Sequence, residues 1–157
     1  GFPYMSLANL GACAFELGDP KTAQNYYQEA LELVRQKGNQ SNEVLYLAEL
    51  ARVELALSQI APAITLLKQA TALAAKTKTL SGLMSCYFGW AEYFLACHKQ
   101  EAGLELLQLL VEHPAANALH KRKAAAILKD LAKPATPLPS SDFDAYYQQL
   151  AVVLKKQ

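Results

Sequence analysis

The feature that most constrains this 157-residue chain is an internal repeat with a spacing of 40 residues. Leu7-Ala8-Asn9-Leu10-Gly11, then Gly18-Asp19, then Ala23, Tyr27 and Ala30 form the first copy. The second has Leu47, Leu50 and Ala51, then Ala63, Leu67 and Ala70. The third has Trp90 and Ala91, then Gly103, Leu107 and Leu110. Spacings of three and four put these groups on one face of a helix. A small residue midway along a first helix (Gly11, Ala51, Ala91) lets a second helix approach closely. A second small residue (Ala23, Ala63, Gly103) sits where the two cross, and a large one (Tyr27, Leu67, Leu107) fills the space beside them. No such pair can bury its stripe alone, so neighbours must stack.

Local signals agree. Gly18-Asp19-Pro20 reads as a helix end, an N-cap and a first helical position. Gly38-Asn39-Gln40-Ser41 reads as a loop with Ser41 as the cap. Pro62 falls in a first turn, and Ser81 is placed to cap the helix that holds Cys86. The periodicity predicts helices over 3–17, 20–37, 42–57, 61–76, 81–97, 99–112, 115–132 and 142–155. Residues 1–132 form the repeat region. The segment 133–141, with Pro134, Pro137 and Pro139, is a Pro-rich connector. Residues 142–157 carry an amphipathic helix with the stripe Phe143, Tyr147, Leu150 and Leu154, flanked by Tyr146 and Val153. This helix either caps the last exposed face of the stack or docks a partner or a second copy.

With Leu10-Gly11, Gly18-Asp19, Ala23, Tyr27 and Ala30 in place, the chain resembles the tetratricopeptide repeat (TPR) family over about residues 4 to 112. The resemblance implies an all-α fold, a right-handed α-solenoid of TPR-like hairpins with a C-terminal capping helix. The period exceeds the 34 residues usual in the family, and Arg35 stands where a unit-ending Pro often occurs. The longer period resembles the arrays of large bacterial multidomain regulators, signal-transduction ATPases and transcription activators among them. Glu112-His113-Pro114-Ala115 is similar to the C-terminal end of such arrays. That resemblance implies a sensor or scaffold module with its ATPase and effector modules elsewhere in the parent chain, in the cytoplasm. Gly1-Phe2-Pro3-Tyr4 has no signal-peptide pattern and reads as a cut end of a longer protein.

TPR arrays commonly bind along the concave face made by the first helices. The resemblance puts Asn9, Glu16, Glu49, Arg52, Phe88 and Glu92 there, with Phe88 as an exposed apolar anchor and Arg52 or Glu49 orienting a protein, a peptide or a small inducer. The Lys/Asn clamp of one TPR subclass maps to Ala8, Ala12 and Glu49, which argues against capture of a C-terminal carboxylate. Glu16, Glu49 and Glu92 disfavour an acidic peptide.

Apolar residues make up 52% and charged residues 18%. Up to Glu112 there are eight Lys/Arg against eleven Asp/Glu, and beyond it seven against three. The basic end motivates an alternative, a nucleic-acid accessory surface using Lys121, Arg122, Lys123 and Lys129. A passive assembly adaptor is the other alternative. Cys13, Cys86 and Cys97 read as small core residues in a reducing compartment. Trp90 reads as core. His98, His113 and His120 lie far apart in the helix plan and form no metal set. No catalytic constellation, cofactor motif or apolar run of membrane-spanning length is readable, so neither an enzyme nor a membrane protein is expected.

Overall fold

A computed structural model describes residues 2–131 and 142–157; the Pro-rich connector lies outside the described residues. Eight helices are described, with no strand among the described residues: α1 (Pro3–Glu16), α2 (Pro20–Gln36), α3 (Gln40–Ala56), α4 (Ile60–Thr77), α5 (Leu80–Ala96), α6 (Gln100–Glu112), α7 (Ala118–Leu131) and α8 (Phe143–Lys155). This is a TPR-like all-α helical-repeat solenoid.

The hairpins are α1/α2, α3/α4 and α5/α6, joined through α2–α3, α3–α5 and α4–α5 contacts. The small-residue logic holds at each crossing. A Cβ on Gly11 would stand 3.0 Å from the Tyr27 ring. Ala51, Ala63 and Ala91 have no exposed surface, and Leu67 and Leu107 are fully buried beside them. A Cβ on Gly103 would meet Leu95 Cγ at 2.8 Å and the Ala91 carbonyl oxygen at 3.1 Å. Because backbone is part of that contact, Gly103→Ala is expected to destabilise by about 1–3 kcal/mol despite its better helix propensity. Urea unfolding checks this.

The turns repeat at half the period. Gly18, Gly38, Ser58, Lys78 and His98 all have positive φ, between 56° and 81°. Each follows a helix and lets the chain reverse through a left-handed residue. Only two of the five are glycine. Ser58→Gly is therefore expected to stabilise by about 0.5–1 kcal/mol, a gain read as a raised Tm.

Asp19 caps α2 by accepting from Thr22 N at 3.0 Å. Asn39, not Ser41, caps α3, accepting from Asn42 N at 3.1 Å. Ser81 lies within α5, which begins at Leu80 without a side-chain cap bond. The α8 stripe is rotated from expectation. Phe143, Tyr146, Leu150 and Val153 are buried, while Tyr147 and Leu154 flank them. The Tyr87 hydroxyl donates to the Tyr146 carbonyl at 2.6 Å, docking α8 on α5. Of the cysteines only Cys86 is core, and burial pushes its thiol up to about 12; Cys13 is exposed and Cys97 half-buried. Trp90 is buried, as expected, and its Nε1 donates to Thr71 Oγ1 at 2.9 Å.

From Gly82 to Ala91 every residue of α5 is buried. Helices α3, α4, α6, α7 and α8 all touch α5, so it is the axis of the molecule.

Candidate functional site

The site is organised by one buried guanidinium. Arg52 on α3 is 3% exposed. Its Nη1 donates to Glu49 Oε2 at 2.7 Å, one helical turn back, and its Nε pairs with Glu92 on α5. The Glu92 contact spans 40 residues of sequence, so equivalent turns of two successive first helices face each other. The guanidinium carbon lies 4.4 Å from the Phe88 ring centroid and 5.3 Å from that of Phe15. A desolvated cation against aromatic faces, with two carboxylates, is satisfied both in charge and in hydrogen bonding.

The fourth element is α7. Pro114 disfavours α conformation at the residue before it, and His113 is extended at φ −82°, ψ 128°. That ends α6 and redirects the chain. Asn117 then caps α7, its Oδ1 accepting from Leu119 N at 2.8 Å and His120 N at 3.3 Å. The cap sets the rotation that turns His120 inward. The His120 ring stacks on Phe88 with centroids 4.6 Å apart and planes at 22°. Its Nε2 is 2.8 Å from Glu49 Oε1 and 3.2 Å from Arg52 Nη1. A carboxylate can only accept, so Nε2–H donates to Glu49. The other ring nitrogen, Nδ1, is buried and has no hydrogen-bond partner. One turn further along α7, Lys123 pairs with Glu16 at the end of α1 and stands 5.8 Å from the Phe15 ring centroid.

Beside this cluster is a cleft of about 220 Å³ lined by Asn9, Glu16, Glu49, Arg52, Tyr27 and His120, among others. Burial, then the charge of Glu49, pushes the Tyr27 phenol well above its ordinary range. Burial alone would raise the Glu49 carboxyl, but Arg52 and the His120 hydrogen bond outweigh it and hold it at about 2, against an ordinary 4.5. A depressed carboxylate adds stability that is complete above about pH 4.5 and is lost as pH falls through about 2. The corresponding loss is on the order of 3 kcal/mol. Tm measured from pH 6 to 2 is expected to fall more steeply in the wild type than in Glu49→Gln, which lacks this titration.

The six residues assigned to the concave face thus meet around one group: Glu49, Glu92 and Phe88 touch Arg52, while Asn9 and Glu16 line the adjoining cleft. Two expectations need correction. Phe88 is no exposed anchor; it has no exposed surface and underlies Arg52 and His120. Arg52 is also buried, because α7 covers this face. His120 was missed by the sequence reading. The only signal for it was its i, i+4 spacing with Ala124, which marks the buried stripe of α7.

Of the basic residues of α7, one is held in an ion pair. Lys123 is engaged by Glu16, Arg122 and Lys129 are exposed, and Lys121 is half-buried on the opposite flank of Arg122 from Lys123. Among the described residues, no three His, Cys, Asp or Glu side chains are grouped to hold a metal ion. No described helix is long and apolar enough to cross a membrane.

Neither the curated proteins nor the solved structures contain a significant match to this chain. The tetratricopeptide repeat family model matches residues 4–76, the span of α1 to α4, so this part of the chain is similar to repeats that generally mediate protein–protein interaction.

Proposed function

We propose that this chain is a partner-binding module, a TPR sensor or scaffold within a larger bacterial signalling or transcription regulator, working in the cytoplasm without catalysis of its own. The observation that supports this best is the convergence of three successive first helices on Arg52, next to a polar cleft. Buried charge networks of this kind cost stability relative to an apolar core, so their retention fits a role in recognition. A protein segment, peptide or inducer at the cleft touches α1, α3 and α5 together. It therefore favours one relative arrangement of the hairpins over another, which is the differential binding a sensor needs. In this reading α8 closes the end of the stack.

The test uses helical peptides displayed on phage and panned against the 157-residue chain and against its Asn9→Arg variant. Asn9 is exposed and lines the cleft, so the fold is kept. Peptides enriched on the wild type and lost on the variant support the reading. Equal enrichment on both would move binding away from the concave face.

A further inference from the structure

Among the first helices only α5 lies closely along its predecessor, α3. Helix α7 follows a different course. It packs on α6, touches α5 only slightly, and reaches back to α3 through His120 and to α1 through Lys123. Lys123 and Glu16 are 107 residues apart in sequence, yet they are paired. So α7 crosses the concave face, where an external segment would otherwise lie.

Its contacts to α3 and α1 include the ion pairs of His120 and Lys123. Of its 14 residues only His120 and Ala124 are buried. Ile127 and Leu128 are half-buried, and Leu131 is exposed. The fit is also incomplete, with His120 Nδ1 buried and unpartnered and a cleft remaining against α1 and α3. A helix that short, bearing so little buried apolar surface, is held only marginally by its own propensity.

We infer that α7 is a resident ligand of the concave groove, and that the external partner is a basic amphipathic helix which takes its place. The inference rests on the concave face being the binding face. The class of partner follows from what α7 uncovers when it leaves. Glu16, Glu49 and Glu92 surround the single Arg52, and Phe88 offers a ring face. A competitor must supply a planar hydrogen-bond donor over Phe88 and, three residues on, a Lys or Arg for Glu16. These are the positions of His120 and Lys123. An acidic helix meets three carboxylates and is rejected.

The probe is a fluorescent peptide with the sequence of residues 116–131, added to the full 157-residue chain. In the wild type it must compete with a tethered copy at an effective concentration of about millimolar. In His120→Ala/Lys123→Glu the tethered copy is disarmed while the groove residues are intact. The peptide is expected to bind this variant at least about tenfold more tightly than the wild type. Lys123→Glu alone, at a solvent-reaching ion pair where folding is not at risk, gives a smaller gain in the same direction. The peptide carrying H120A and K123E binds neither chain. Equal affinity of the parent peptide for wild type and both variants would overturn the inference and leave the concave-face reading standing. Failure of the variants to bind this peptide or any panned helix would overturn both.

Discussion

Arg52→Met lowers the free energy of unfolding by about 3–5 kcal/mol, the cost of leaving buried or half-buried carboxylates without their cation. The side chains of Glu49 and Glu92 are 17% and 32% exposed, so Glu49 bears most of the loss. Methionine keeps much of the arginine volume, which separates charge from packing. The loss is therefore expected to shrink in Arg52→Met/Glu49→Gln, where the stranded charge is gone as well. Urea unfolding at pH 7 checks both, with m unchanged if the native fold persists. A pair of losses that simply add would mean that Arg52 and Glu49 do not act as one unit.

Phe88→Ala is the second large effect, about 3–5 kcal/mol from the cavity and the lost transfer energy of a fully buried ring. Its consequences reach further than its own contacts, since the ring supports the Arg52 guanidinium on one helix and stacks on His120 of another. Phe88→Leu keeps an apolar group but removes the ring face. It is expected to cost less stability while still releasing α7, seen as faster amide exchange in residues 118–131 than in α3. Exchange that speeds up equally in α3 and α7 would mean that the ring only fills core volume.

The repeat was legible because its physics is local and periodic. Gly11, Ala51 and Ala91 mark crossings at fixed spacing, and the structure buries all three as that spacing requires. The left-handed turns were legible only at Gly18 and Gly38; Ser58, Lys78 and His98 adopt the same conformation without the residue type that signals it. Repeat register also brought the concave residues together, since Arg52 and Glu92 are offset by one period. What the sequence could not show is where α7 goes. That depends on one extended residue before Pro114 and on contacts more than 60 residues away along the chain, such as Arg52 with His120. Phe88 consequently read as a surface anchor. The local pattern put it on the face of α5 that meets Arg52 but carried no information that another helix covers that face.

The most direct test of α7 crossing the concave face is zero-length carbodiimide coupling followed by mass spectrometry, which joins a Lys amine only to a carboxylate it touches. The Lys78–Asp144 pair, 2.6 Å apart and well exposed, serves as the internal reference. Coupling of Lys123 to Glu16 at a yield comparable to that reference is the predicted result. A sample in which Lys78 couples to Asp144 while Lys123 never couples to Glu16 would contradict it, leaving the groove open in solution.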